Sequence, residues 1–365
     1  MFYKYFIDEI TIMPNFLKKK YIRSIRSLIK NKNFSPISDA VKTILSSGNT
    51  AETSLKTILK DHKDLMLESY SNIEETKSFK YSAIFELDDE REPIEIINQI
   101  TKNNTILDST IHYNTIISDY KATKMNDLLK FTFLLDGFRM INGNPVPIKT
   151  TYSVIVKFWT FGIDDEKRKF IEIDTDNVAS YFRIEKNNFF EQMINNIAEY
   201  LQTEFSLSLH PVDLLLTLER IKDKEKKGEL KNFPKASAQK MVLSSGSQAV
   251  LDSNDAETII LPILGELKNL IEDNQKLLSQ AIEVKKLLEE FIRDTEVMSD
   301  LPWITFTWDD IIKSKKIQVK FVLSEYPYTL LNYYIHKKGR KGMNDVIESL
   351  LKEYSSKKIN EDDEG

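Results

Sequence analysis

The most regular hydrophobic pattern lies between Ile260 and Ile292, where three lines of apolar residues descend at seven-residue intervals. They are Ile263, Leu270, Leu277, Val284 and Phe291; then Leu264, Ile271, Leu278 and Ile292; then Ile260, Leu267, Ala281 and Leu288. The spacing predicts one long helix over Thr258–Val297, with Pro262 in the first turn, where its missing N–H costs little. Asn274 and Lys285 interrupt the lines, and a buried Asn at such a seam can fix the register of a coiled coil. Three adjacent lines also make a face wider than a two-stranded seam. A bundle, or a helix laid on a domain, satisfies the pattern equally.

Upstream, residues 1–79 read as a helical region after a short strand at Tyr3–Ile12. Helices are predicted over Pro14–Lys30 (core positions Phe16, Ile22, Ile25, Leu28, Ile29), Ile37–Leu45 and Thr50–Asn72. Residues 80–222 read as an α+β domain. It has a strand at Tyr81–Leu87, a helix at Pro93–Lys102, and strands at Ser109–Tyr120, Leu129–Met140, Thr151–Phe161 and Lys169–Asp174. An amphipathic helix over Asn188–Phe205 follows, with Phe189, Met193, Ile197 and Leu201 on one face, and then a helix over Pro211–Lys222. Hairpins followed by grouped helices predict an antiparallel sheet covered on one face. Residues 223–256 begin with a charge run and continue Ser-, Gln- and Ala-rich, which reads as a flexible linker.

The last apolar pattern runs from Ile317 to Tyr354. Val319, Phe321 and Leu323 alternate with Gln318, Lys320 and Val322, the period of a strand with one buried face. Ser324 suits an N-cap, Glu325–His336 then reads as a helix, and Gly339 suits its end. Asn344 suits the cap of a second helix with Val346, Ile347, Leu350, Leu351 and Tyr354 inward. A strand and two short helices bury too little surface alone and must pair. In this order the segment resembles the ribbon-helix-helix family of DNA-binding proteins. That resemblance implies a dimer whose two strands form an antiparallel ribbon in the major groove. It places Gln318, Lys320 and Val322 at the base edges. Met343 and Asn344, with Lys341, would hold phosphate at the start of the second helix, and Lys337, Lys338 and Arg340 would add salt-dependent attraction. The other reading is a small packing unit that only dimerises the chain.

Composition sharpens the picture. The chain of 365 residues has no cysteine, which removes disulfides, thiolate metal sites and thiol nucleophiles. Its net charge of −5 is unevenly spread: from Lys313 to Lys358 eleven Lys and Arg face four acids, a local +7. The first 32 residues carry Lys4, Lys18, Lys19, Lys20, Arg23, Arg26, Lys30 and Lys32 against two acids. These read either as a second nucleic-acid surface or, more simply, as a solvated helix face. No secretory signal layout and no apolar run of roughly 18 residues is present, so a cytoplasmic protein without membrane contact is expected. His62, His112, His210 and His336 lack metal-ligand spacing. Glu172, Asp174 and Asp176 could hold a divalent ion as nuclease sites do, though they read more simply as surface acids. Trp303 and Trp308 read as packing residues.

The expected architecture is α+β and multidomain: 1–79 helical, 80–222 an antiparallel-sheet domain, 223–256 linker, 257–299 an oligomerising helix, 300–358 a ribbon-helix-helix module and 359–365 an acidic tail. The expected function is dimeric binding of double-stranded DNA, as a transcriptional regulator or a DNA-organising or partition factor of a mobile element. A homodimer or higher even-numbered oligomer, no cofactor, and a protein partner through 80–222 complete this reading. A non-catalytic assembly protein is the alternative, and a metal-dependent enzyme of nucleic acid is the remote one.

Overall fold

The computed structural model describes residues 7, 10–31, 35–102, 117–125, 128–162, 167–183, 188–226, 234–242, 248–252, 267, 270–297, 300–310, 315–323, 325–336 and 339–362. From Asn15 four helices follow one another among the described residues: α1 (Asn15–Asn31), α2 (Ser35–Ser46), α3 (Ala51–Asp61) and α4 (Lys63–Thr76). The expected N-terminal strand is instead helical at Ile7 and Ile10–Ile12 among the described residues. The single helix expected over Thr50–Asn72 is two. Thr50 caps α3 by accepting from the Thr53 amide at 3.2 Å, and the chain breaks at His62 (φ −138°, ψ 57°).

The chain forms two compact units: residues 1–79, 87–159 and 169–209, and residues 80–86, 160–168 and 210–365. In the first, strands β2 (Ile117–Met125), β3 (Leu128–Ile141), β4 (Asn144–Phe161) and β5 (Arg168–Thr175) are neighbours in that order. The β3–β4 hairpin turns on Asn142 and Gly143, both at positive φ (50° and 82°), so Ile141 pairs with Asn144. Such a two-residue turn matches the twist of the strands it joins. Helix α6 (Phe189–Phe205) buries Phe189, Met193, Ile197 and Leu201, the four-residue spacing legible in the sequence. It meets the sheet edge-on through Tyr200 against Phe131 and Phe189 against Tyr152. Lys130, next to Phe131 on β3, points to the other face, where its Nζ donates to the Tyr70 hydroxyl of α4. Helices therefore flank both faces of this sheet.

Gly137 lies where β3 passes the short turn Ser180–Phe182. A Cβ there would fall 2.5 Å from the Tyr181 carbonyl oxygen and 2.6 Å from a Phe182 ring carbon. Gly137→Ala is expected to cost about 2 kcal/mol, as overpacking against backbone does; a melt that leaves the midpoint unmoved would contradict this close approach.

In the second unit the strand order is β1 (Tyr81–Asp88), β11 (Leu330–His336), β10 (Lys315–Val322), β9 (Asp300–Asp310), β7 (Lys235–Val242) and β8 (Gln248–Asp252). The stretch expected to be a linker thus supplies two strands of a hairpin, β7 pairing with β9 and with β8. Helices α7 (Leu215–Lys226) and α10 (Gly339–Asp362) join through Glu353, which accepts from Lys224 Nζ at 2.7 Å, while its carbonyl accepts from Arg220. Met343, Val346, Ile347, Leu350 and Leu351 of α10 are fully buried. The long helix expected over 258–297 is interrupted. Its described part is helical at Leu267 and at 270–273, and continues with a short turn α8 (Gln275–Leu278), a break at Ser279–Ala281, and α9 (Ile282–Val297). Ile271, Leu278 and Ile292 pack on Met241 of β7 with Leu267, Leu288 and Leu301 alongside. Residues from two of the three heptad lines are therefore spent within the chain. The remaining elements are α5 (Pro93–Lys102) and β6 (Ser208–Pro211).

Candidate nucleic-acid interfaces

Strand β10 alternates as its sequence demands. Ile317, Val319 and Phe321 are fully buried, while Gln318, Lys320 and Val322 share the opposite, half-open face. Both edges of β10 are nevertheless taken within the chain. Ile317–Val322 pairs with β11 on one side, and Lys315–Val322 with β9 on the other. The segment expected as the first helix of a ribbon-helix-helix module is β11 itself. Its burial has period two, not 3.6: Leu331 and Tyr333 are sealed while Tyr334 is 50% exposed. The ribbon-helix-helix arrangement is corrected on two counts, then, by a strand in place of a helix and by the absence of a free edge for a second copy. The physical reason is chain connectivity. The β-prone segment of β11 follows β10 within a few residues, and closing so short a connection costs less entropy than recruiting another molecule.

Two of the three predicted base-contacting residues are engaged within their own sheet through their side chains. Gln318 Nε2 donates to Ser237 Oγ at 3.3 Å. Lys320 Nζ lies 4.2 Å from the centre of the Trp303 ring. Burial holds the Lys320 ammonium below the usual lysine range, against the pull of Glu325, with Lys240 lowering it further. The six neighbouring strands span about 24 Å, whereas the major groove is about 12 Å wide. This face cannot enter a groove as a two-stranded ribbon does.

The predicted phosphate clamp is also rearranged. Helix α10 begins at Gly339 (φ 63°), so its first orphan amides belong to residues 339–342 and not to Met343 and Asn344. Met343 is fully buried, Arg340 is buried, Asn344 is half-buried, and only Lys341 is exposed. Lys337 and Lys338 lie outside the described residues. The correction follows from where the helix starts, which spacing alone placed five residues too late.

A different basic surface is built on α1. Its sequence, NFLKKKYIRSIRSLIKN, holds six cations and no acid. Tyr21, Ile25 and Ile29 turn inward and are buried. Lys19, Arg23, Arg26 and Lys30 recur at four, three and four residues on the other side, and all are exposed. Among the described residues none of these four side chains makes an ion pair or hydrogen bond. Lys18 does not belong to the strip. It is buried, and its Nζ donates to Glu52 at 2.7 Å and to the Thr11 carbonyl at 3.1 Å. Phe16, expected in the core, is 73% exposed, one turn before Lys19 on the strip's line. The sequence signal was there: the cations share the helical spacing of the apolar residues, displaced to the opposite side.

No protein-family model, curated protein or solved structure matches this chain. Its function therefore rests on its own surfaces.

The acids weighed as a metal site do not form a surface site. Glu172 and Asp174 are fully buried on β5, and Glu172 accepts from the Trp159 indole at 2.9 Å. Asp176 pairs with Lys77 at 2.9 Å. Reading them as surface acids is thus corrected for two of the three. Among the described residues no group of three His, Asp or Glu is arranged to hold a metal ion. Among the same residues, no helix is long and apolar enough to cross a membrane.

Proposed function

We propose that the chain binds double-stranded nucleic acid, DNA in the first instance, through sequence-blind phosphate contacts made by α1. The observation that carries this reading is the strip Lys19, Arg23, Arg26 and Lys30, exposed on one side of a helix that holds no acid. Eleven residues of helix extend the strip over about 16 Å, along which each strand of a duplex presents a phosphate about every 3.4 Å. Four cations without carboxylate partners among the described residues suit a polyanion, because displaced counterions drive such binding. A membrane surface suits them less. The apolar side of α1 is already committed to the core through Tyr21, Ile25 and Ile29, and an interfacial helix needs that side for the bilayer.

Full-length protein titrated against a fluorescent mixed-sequence duplex tests the reading. Four neutralised phosphates give a slope of log K against log salt of about −3.6, so affinity falls about 100-fold between 50 and 200 mM salt. The variant Lys19→Gln/Arg23→Gln/Arg26→Gln/Lys30→Gln, altered only at exposed positions, should keep its circular dichroism and lose most of that slope. Gln318→Ala/Lys320→Ala should bind within about twofold of the parent, because those residues are spent inside the sheet. A parent that ignores duplex at 50 mM salt, or a fourfold variant that binds as the parent does, sinks the proposal. Stronger binding to anionic vesicles than to duplex would reassign the strip to membranes.

A further inference from the structure

The β3–β4 hairpin runs on past the strands beside it. Among the described residues β2 pairs with β3 no further than Leu135, and β5, eight residues long, starts from the opposite end of β4. Gly137 lies against the Tyr181 carbonyl and the Phe182 ring. From there to Ile141 the ribbon projects about 14 Å, four residues at about 3.4 Å each. Its register pairs Phe138 with Pro147 and Met140 with Pro145, so these four side chains share one face. All four are exposed, Phe138 at 65% and Met140 at 64%. From Gly137 to Ile148 the polar side chains are Arg139, Asn142 and Asn144 alone, with no acid. In a two-residue hairpin the closing pair, here Ile141 and Asn144, is hydrogen-bonded, and alternate pairs beyond it turn their amides outward. Pro145 and Pro147 occupy those outward places in β4 and leave no N–H there for an incoming strand.

We infer that this arm is a wedge for double-stranded DNA, entering the minor groove and prising one base step open with Phe138 and Met140. Apolar side chains of this kind, driven between base pairs, unstack a step and kink the duplex toward the major groove. The arm reaches deep enough, since the minor groove is about 7.5 Å deep. Its two strands, about 4.8 Å apart, need more than the resting groove width of about 6 Å, and the kink supplies it. The groove floor presents the acceptors adenine N3 and thymine O2, to which Arg139, Asn142 and Asn144 can donate. A tip with one cation and no acid meets no repulsion from the phosphates. Other occupants fit less well. The prolines refuse an added strand along β4, and the apolar face offers a second copy about 400 Å², half of the roughly 800 Å² per partner of a stable interface.

The inference rests on the duplex binding proposed for α1, and its test reads the two separately. A duplex of about 20 base pairs with a dye at each end is about 68 Å long. A central kink of about 60° brings its ends to about 59 Å. Full-length protein should raise energy transfer by that shortening on a duplex with a central TA step, which unstacks readily. 2-Aminopurine placed at the step should brighten as its stack opens. A mismatch there should be bound about 10-fold tighter, because part of the unstacking is already done. Phe138→Ser/Met140→Ser, at exposed positions, should keep its circular dichroism and, having lost no charge, its salt slope, while the kink and the mismatch preference disappear. A parent that ignores duplex at 50 mM salt removes the α1 reading and this inference with it. Binding with the expected salt slope but without shortening or brightening, or a double variant that still kinks the duplex, overturns the wedge alone. So does light scattering that gives two chains for the parent and one for the double variant, which makes the face a contact between copies.

Discussion

Phe321→Ala is expected to destabilise the second unit by about 4 kcal/mol, and Val322→Ala, one residue on, by no more than about 1 kcal/mol. Phe321 is fully buried at the centre of β10, its ring 6.0 Å from that of Phe306 and 6.1 Å from that of Trp308. Truncation removes the apolar transfer term, leaves a cavity that flanking strands cannot close, and breaks two aromatic contacts. Val322 faces the other side, half-buried beside Trp303 of β9. Urea unfolding followed by tryptophan emission measures both, since Trp303 and Trp308 sit on the neighbouring strand. Similar losses at the two positions would contradict a strand with one sealed face. The same pair of variants separates an internal strand from an edge ribbon, which would be more tolerant at both.

Glu52→Ala is expected to cost about 3 kcal/mol, because it strands a charge that the fold has already taken out of water. Lys18 has only 5% of its side chain exposed, and Glu52 is its one carboxylate partner among the described residues. Lys18→Met, which removes the buried charge along with the pair, should cost much less, and Lys18→Met/Glu52→Ala should cost less than Glu52→Ala alone. Thermal melts of the four proteins close this cycle; additive losses would mean the two side chains do not interact. A pH dependence accompanies it. Hydrogen bonds from Lys18 and then Lys56 hold the Glu52 carboxyl below its usual range, although burial opposes them. A depressed carboxylate stabilises the fold fully above its unfolded value of about 4.3 and loses that contribution as pH falls through the lower folded value. Parent and Glu52→Ala should therefore converge in stability as pH falls through that lowered value.

Much of the first unit was legible in the sequence. The Phe189, Met193, Ile197 and Leu201 spacing marks α6 because its buried positions repeat at the helical period over seventeen residues. Strands β3 to β5 were placed to within a few residues, apart from the extension of β4 back to Asn144. The second unit was harder. Its β7 and β8 are written in Ser, Ala and Gln, which carry little strand signal; the pairing with β9 makes them strands, and Gln239 is buried there as acceptor to Lys222. Leu330, Leu331 and Tyr334 fit a helix as well as a strand, and only burial separates the two. For the candidate interfaces, the sequence supplied the cations of α1 but not which of them turn inward.

By itself, the sequence determined periodicities: two for β10, near 3.6 for α1 and α6, seven for the residues that became α8 and α9. It also determined the Asn142-Gly143 turn and the acid-free run of α1. These are local properties, set by backbone geometry and by the side chain at each position. Partnership was decided by the tertiary structure. It gave both edges of β10 to strands of the same chain, drew Lys18 inside against Glu52 while Lys19 stayed out, and packed residues from two of the three heptad lines onto β7. Such choices depend on which surfaces compete for the same face, a competition between segments far apart in sequence that no local pattern encodes.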